Sequence, residues 1–98
     1  MKRHEVIEKL KAQADAIRAL GATSLYLFGS VARDEASDMS DLDLFIDYDP
    51  ESRFNAFDLV GIKLLLEDDF RRTVDITTRD SLHPMLRDRI ETSALQVF

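Results

Sequence analysis

Apolar and polar residues alternate strictly over residues 41–48, and this period of two predicts a β-strand from Leu42 to Tyr48. One face is apolar, is expected to be buried, and carries Leu42, Leu44 and Ile46. The opposite face is mostly acidic and carries Asp41, Asp43, Phe45 and Asp47. Because residues on one face of a strand recur at roughly 6–7 Å, Asp41 and Asp43 are predicted to stand side by side.

Three helices are predicted, one before this strand in the sequence and two after it. Apolar residues at three- and four-residue spacing predict a helix over residues 5–20, with Gly21 in the left-handed position that follows its last turn. A second helix is predicted over residues 52–70, in which Gly61 is expected to mark close packing on the sheet. Its apolar face is assigned to Phe54, Phe57, Ile62, Leu64, Leu65 and Leu66. A third helix is predicted from Pro84 to about Ser93, with Leu86 and Ile90 pointing inward.

Shorter apolar segments predict the remaining strands. Residues 24–28 are nearly all apolar and are expected to form a strand buried on both faces. Gly29-Ser30 ends this strand, residues 31–33 are predicted to form a helical turn capped by Ser30, and residues 34–40 form a polar loop. Residues 73–77 alternate again, so that Asp75 faces away from the apolar side. Residues 94–98 either add a short strand or pack against the core.

This order of elements predicts an α/β (α+β) fold in a single domain spanning residues 1–98, a length that suits one core. Helices are expected to cover one face of a small β-sheet. The other face carries Asp41, Asp43 and Asp75 and is expected to stay open. Sheets with one open face usually contain antiparallel pairs, so we expect mixed or antiparallel pairing.

Composition narrows the function classes. The formal net charge is −6, whereas general nucleic-acid binders carry a basic surface that contacts the phosphates. No direct nucleic-acid binding is therefore expected. There is no cysteine, which excludes disulfides and thiolate metal ligands. No uncharged run approaches the ~20 residues of a membrane span. The basic start has no apolar segment behind it, so we expect a cytoplasmic protein without a signal peptide or membrane contact.

The acidic face carries the candidate chemistry. Asp75 has the same facing pattern as Asp41 and Asp43, and three such charges ~6 Å apart repel by a few kcal/mol per pair at an effective dielectric of ~20. They require a cation, or one carboxyl must be protonated. Oxygen ligands without nearby His or Cys favour Mg²⁺ or Mn²⁺, and two ions ~3.5–4 Å apart serve nucleotidyl transfer. Gly29 lets the backbone approach a phosphate, and Ser30 adds a hydroxyl.

Two common ion- and phosphate-binding motifs are excluded by the residues that follow the aspartates and the glycine. An EF-hand loop requires an oxygen ligand and a glycine where Phe45 and Ile46 stand. The P-loop spacing is absent after Gly29. Arg33 has two open interpretations, a phosphate contact or an ion pair with Asp34, Glu35 or Asp38. The remaining basic residues singled out are interpreted as solvated surface charges, namely Lys63, Arg71, Arg72 and Arg79.

The three motifs together resemble one family. Phe-Gly-Ser-Val-Ala-Arg at residues 28–33, Ser-Asp-Leu-Asp-Leu at 40–44 and Val-Asp-Ile at 74–76 are similar to the minimal nucleotidyltransferase (MNT) family of the DNA polymerase β-like superfamily. That family has Gly-Ser, ten residues, Asp-x-Asp and a third carboxylate in a later strand. Many relatives have glycine after the arginine, where this chain has Asp34, a residue that tolerates the left-handed conformation.

The resemblance implies a role for each matching residue. Asp41 and Asp43 are implied as metal ligands that hold a nucleoside triphosphate. Asp75 is implied to complete the metal site and to help deprotonate the attacking hydroxyl. The implied triphosphate contacts are Gly29, Ser30 and Arg33.

The resemblance also implies a biological role. MNT proteins resemble the antitoxin half of toxin–antitoxin modules whose partner is a HEPN-domain ribonuclease. The implied activity is Mg²⁺-dependent transfer of AMP from ATP to a hydroxyl of that toxin, with tyrosine as the expected acceptor. Two alternatives stay open: a non-catalytic antitoxin that blocks its partner sterically, and a small-molecule nucleotidyltransferase with a separate substrate-binding subunit.

Overall fold

A computed structural model describes residues 2–35 and 40–98. Part of the predicted polar loop, with Asp38, therefore lies outside the described residues. A short 3₁₀ turn at Arg79–Ser81 connects the third strand to the last helix. The other elements are, in chain order, α1 (Arg3–Ala12), α2 (Ala14–Ala19), β1 (Ala22–Phe28), α3 (Gly29–Ala32), β2 (Leu42–Tyr48), α4 (Ala56–Phe70), β3 (Val74–Thr78), α5 (Pro84–Ser93) and β4 (Leu95–Gln96).

The strands form one mixed sheet in the order β3-β2-β1-β4. β1 is antiparallel to both β2 and β4, whereas β2 and β3 are parallel. The predicted fold class and mixed pairing are confirmed, and β2 has the predicted bounds. The short strand expected near the C-terminus is β4.

The main core lies between the helices and one face of the sheet. Leu42, Leu44 and Ile46 of β2 are fully buried there, as the alternation predicts. The helices contribute Val6, Leu10, Ile17, Ile62, Leu66 and Phe70 to the same cluster. In β1 only Leu25 and Leu27 are fully buried on this side, while Tyr26 and Phe28 on the other face are half-buried. The expectation that β1 is buried on both faces is therefore wrong.

Local hydrogen bonds move two helix boundaries from their predicted places. The helix expected over residues 5–20 is divided at Gln13, whose N–H donates to the Leu10 carbonyl three residues back instead of four. The second long helix begins at Ala56 instead of residue 52. Asn55 caps it, because its side-chain oxygen accepts from the N–H groups of Phe57 and Asp58 at 2.8 and 3.2 Å.

Helix α4 has more apolar residues than its buried face holds. Phe57 is 87% exposed and Leu64 is 59% exposed, so their predicted place in the core is wrong. A Cβ added at Gly61 would meet Leu20 at 3.8 Å, an ordinary contact, so this glycine does not mark close packing on the sheet. Leu86 of α5 is also exposed, contrary to prediction. Among the residues described, no helix combines the length and the apolar character that crossing a membrane requires.

Candidate active site

The aspartates stand on the sheet face that points away from the main core. Asp43 pairs with Asp75 across the parallel β2–β3 ladder, and Phe28 pairs with Asp43 across β1–β2. Directly paired residues point to the same face of a sheet, so these three side chains form one row, called here the acidic row. Asp41 lies two residues before Asp43 and is exposed. The register therefore brings Asp43 and Asp75 to one face of the sheet, and Asp41, just before β2, is close enough to act electrostatically on Asp43.

Burial and neighbouring charges, from Asp75 in the acidic row and from Asp41 and Arg33 outside it, act on Asp43. Partial burial raises the pKa of the Asp43 carboxyl, and the carboxylates of Asp75 and Asp41 raise it further. Arg33 acts in the opposite direction and lowers it. A cation bound beside Asp43 would favour the charged carboxylate, because it offsets the repulsion from both neighbouring carboxylates.

Gly29 lies directly against Asp43. It has φ of +77°, a backbone conformation that side chains disfavour, and it opens α3 at the end of β1. A Cβ at this position would be 3.0 Å from Cγ of Asp43 and closer still to its Oδ2. The candidate site thus has a glycine where the backbone lies too close to the Asp43 carboxylate for a side chain to fit without a shift.

The residues after Gly29 shape the rest of the turn. Ser30 does not cap α3 as predicted, because α3 begins at Gly29, two residues earlier than expected, with Phe28 as its N-cap. The Ser30 carbonyl accepts instead from the N–H of Glu35 at 2.9 Å. Arg33 pairs with Glu35, with 3.0 Å between Nε and Oε2, which is one of its two predicted interactions.

Asp34 takes the left-handed conformation that its residue type tolerates, with φ of +60°. Its Oδ1 accepts from the N–H of Arg3 at 3.2 Å, at the start of α1. Arg3 in turn donates from Nη1 to the Ala32 carbonyl at 3.1 Å. The carboxylate in the usual glycine position therefore attaches the turn to α1 instead of facing the acidic row.

The donor set of the acidic row fits Mg²⁺ or Mn²⁺. Carboxylate oxygens are the preferred ligands of these ions, and Mg²⁺ is usually held by one or two carboxylates together with substrate phosphates and water. Within residues 2–35 and 40–98, no three His, Cys, Asp or Glu side chains are gathered closely enough to hold an ion by themselves. The arrangement therefore suits an ion that arrives with a polyphosphate more than one held by the protein alone.

Arg79 was expected to be a solvated surface charge, and this prediction is wrong. Its guanidinium donates to both carboxylate oxygens of Asp47 at 2.7 and 3.0 Å and to Glu91 at 3.1 Å. It also lies over the rings of Tyr26 and Phe45, 4.8 and 5.0 Å from their centroids. Phe45 is fully buried beneath it, so the acidic face is covered beyond the acidic row. Phe45 lies between Asp43 and Asp47 on the face predicted to be open. A large apolar residue at such a position was the sequence signal that another side chain covers this part of the face.

Arg79→Met is expected to destabilise the fold by about 1–3 kcal/mol, because Asp47 and Glu91 then lose a shared charged donor while partly buried. Urea unfolding measures this change. Arg33→Met is the matched control, since it breaks an exposed ion pair worth about 0–1 kcal/mol. Equal effects of the two substitutions would contradict the assigned role of Arg79.

A mixed sheet with Asp43 and Asp75 paired on one face, Asp41 nearby and a glycine turn at the end of the neighbouring strand is the arrangement expected of enzymes that transfer nucleotides. The profile of the nucleotidyltransferase domain matches residues 7–97 of this chain. The chain belongs to the nucleotidyltransferase domain family, and it is a nucleotidyltransferase.

Relatives extend this assignment. The chain is 36% identical over 77 residues to "Putative protein adenylyltransferase MJ0435" of Methanocaldococcus jannaschii, covering 79% of this chain and 81% of that protein. It superposes on the solved structure of a "putative minimal nucleotidyltransferase" with a TM-score of 0.82 and 32% identity, over 97% of this chain and 95% of that one. The resemblance to minimal nucleotidyltransferases is confirmed.

A structural match at lower sequence identity supports the fold assignment only. A solved complex contains a tri-AMPylated Shewanella oneidensis HEPN toxin and an MNT antitoxin. This chain superposes on one chain of that complex with a TM-score of 0.66 and 16% identity, covering 94% of this chain and 71% of that one.

Proposed function

We propose that this protein transfers AMP from ATP to a tyrosine hydroxyl of a HEPN-domain toxin, requires Mg²⁺, and is the antitoxin of that toxin. The observation that carries the proposal is the register of β2 and β3, which pairs Asp43 with Asp75 on one face beside Gly29. Residues 1–98 are proposed to act as one nucleotidyltransferase domain. ATP, the substrate, is a cytoplasmic metabolite, so the cytoplasm is the proposed site of action.

In this proposal Asp41 and Asp43 hold Mg²⁺ together with the triphosphate, and Asp75 completes the site. Bound Mg²⁺ supplies charge neutralisation on the triphosphate and lowers the pKa of a nearby hydroxyl. The raised pKa of Asp43 agrees with this assignment, because burial and then the carboxylates of Asp75 and Asp41 disfavour its charged form, and a bound cation would favour it.

The chain's own residues position the reactants. Gly29 lets a phosphate approach the backbone, Ser30 offers a hydroxyl donor, and Arg33 attracts the negative charge of the phosphates. Asp75, exposed at the end of the acidic row, accepts the proton of the attacking hydroxyl. The acceptor oxygen forms a bond to the α-phosphorus while the bond between that phosphorus and the bridging oxygen breaks. Pyrophosphate leaves with the electron pair.

The choice of acceptor rests on the relatives. A protein acceptor agrees with the protein adenylyltransferase name of the archaeal relative. A HEPN toxin agrees with the AMPylated toxin found with an MNT antitoxin of the same fold.

Label transfer tests the proposal. The protein is incubated with Mg²⁺, ATP labelled at the α-phosphate and the HEPN-domain protein encoded beside its gene. Labelling of that partner is expected, and Asp41→Asn is expected to abolish it, because one of two adjacent metal ligands is lost. Mass spectrometry of the partner then locates the AMP group and checks that it is on tyrosine.

The same experiment separates catalysis from steric inhibition. If Asp41→Asn still neutralises the toxin and no label reaches the partner from the wild-type protein, the enzymatic proposal is wrong. If label appears on a small molecule instead of the partner, the protein acceptor is wrong while the nucleotidyltransferase activity stands.

A further inference from the structure

The outer edge of β3 lies next to the acidic row. β3 is the last strand of the sheet on that side, and β2 is its one partner among the strands of the described chain. Edge strands offer backbone N–H and C=O groups to which another extended segment can pair. Asp75 belongs to this strand, so any segment that pairs there lies beside the proposed proton acceptor.

The ladder shows which backbone groups face outward. The N–H of Leu42 donates to the Thr73 carbonyl at 3.1 Å. In a parallel ladder the residues then alternate, so Asp75 points its backbone groups to β2 while Val74 and Ile76 point theirs outward. The N–H of Val74 confirms this direction, because it donates at 3.0 Å to the Glu67 carboxylate of α4. The edge available for pairing therefore begins after Val74 and is centred on Ile76.

We propose that the acceptor protein binds as an extended segment that adds a strand to β3, with its reactive hydroxyl-bearing residue opposite Asp75. This inference rests on the proposed function. Neighbouring strands lie ~4.8 Å apart, and directly opposed residues share a face. The acidic row of Phe28, Asp43 and Asp75 is thereby extended by one residue, the acceptor. Backbone bonds supply affinity in this mode of recognition, and side chains supply specificity.

A cavity at the end of β3 identifies the second feature of the segment. It has a volume of about 260 Å³, and Phe54, Ala56 and Leu59 form its apolar part. The rest of its lining is Tyr48, Asn55, Thr78, Asp80 and Ser81. Thr78 is three residues beyond Asp75, so a residue opposite Thr78 points to the helix side of the sheet, where this cavity lies. We therefore assign to the acceptor segment a large apolar side chain three residues from its hydroxyl-bearing residue.

Hydrogen exchange tests the edge directly in the wild-type protein. Binding of the HEPN-domain partner is expected to slow exchange of the Ile76 amide at least tenfold, because that N–H becomes a ladder donor. The Asp75 amide, which already faces β2, is the internal control and is expected to change much less. Unchanged exchange at Ile76 in a saturated complex would overturn the proposal.

A substitution tests the consequence for catalysis. Ile76→Pro removes an outward N–H and no bond to β2, a position where edge strands accept proline. It is expected to weaken partner binding and AMP transfer at least tenfold, with unchanged affinity for Mg²⁺ and ATP. Ile76→Val keeps the N–H and is expected to behave like wild type. Urea unfolding checks that the proline variant is folded.

The outcomes distinguish this inference from the proposed function. If the wild-type protein never labels the partner, the proposed function fails. If the wild-type protein labels it and folded Ile76→Pro labels it equally well, only the pairing at the β3 edge is wrong.

Discussion

Replacing Asp43 with asparagine is expected to slow AMP transfer at least about 10³-fold. A metal ion contributes several kcal/mol to stabilising the charge of such a transition state, and each 1.36 kcal/mol corresponds to a factor of ten in rate. Asp43 is central in the acidic row, between Phe28 and Asp75, and Asp41 precedes it on the same face. Single-turnover label transfer at saturating ATP measures the loss in the chemical step.

The same substitution is expected to leave the fold intact and to stabilise it at neutral pH. Because the folded-state pKa of Asp43 is raised, ionising this carboxyl costs stability as the pH rises from the unfolded pKa through the folded one. Asparagine carries no such charge. Urea unfolding without divalent ions is therefore expected to show a larger stability gain for Asp43→Asn at pH 7 than at pH 3.

Asp68→Asn is the matched control, because Asp68 is exposed on α4, on the helix side of the sheet. It is expected to leave the transfer rate unchanged. A rate for Asp43→Asn within tenfold of wild type would contradict the metal-binding role of the acidic row, whatever the effect on stability.

The alternation of apolar and polar residues within single strands was enough to predict where most of the candidate site residues lie. Strict alternation fixed the bounds and facing of β2, and a second alternating segment put Asp75 on the same side. The pairing of β2 with β3 is expected because a sheet of four strands offers few other arrangements. Asp34 in the left-handed turn was also predictable, since its conformation depends on adjacent residues.

Features that depend on distant residues were missed. Arg79 is bound by Asp47 and Glu91, 32 and 12 residues away in sequence, and nothing in its immediate neighbours indicates either contact. Phe57 was assigned to the apolar face of α4, yet it lies on the side of the helix opposite the buried Ile62 and Leu66 and is exposed. Burial on a helix is decided by docking, which sequence periodicity alone does not specify when apolar residues occupy both sides.

Gly29→Ala is expected to abolish detectable AMP transfer and to destabilise the fold by about 1–3 kcal/mol, the usual cost of strain at a special backbone position. The added methyl group meets the Asp43 carboxylate, 3.0 Å from its Cγ, and the backbone at φ of +77° disfavours any side chain. Either Asp43 rotates out of the acidic row or the turn moves, and both changes separate the phosphate-binding backbone from the metal ligands. Label transfer and urea unfolding measure the two effects.

Gly61→Ala is the control that the same chain offers. Gly61 lies within α4, and a methyl group there meets only Leu20 at 3.8 Å, an ordinary contact. Alanine is favoured over glycine inside a helix by roughly 0.5–1 kcal/mol, so this variant is expected to be more stable than wild type and equally active. If Gly29→Ala were as active and as stable as Gly61→Ala, then the close approach of the turn to Asp43 would have no part in holding the nucleotide. The two substitutions are expected to change stability in opposite directions, and only Gly29→Ala is expected to lose activity. The reason is that Gly29 lies against Asp43 at a positive φ, whereas Gly61 lies inside a helix, where alanine is favoured.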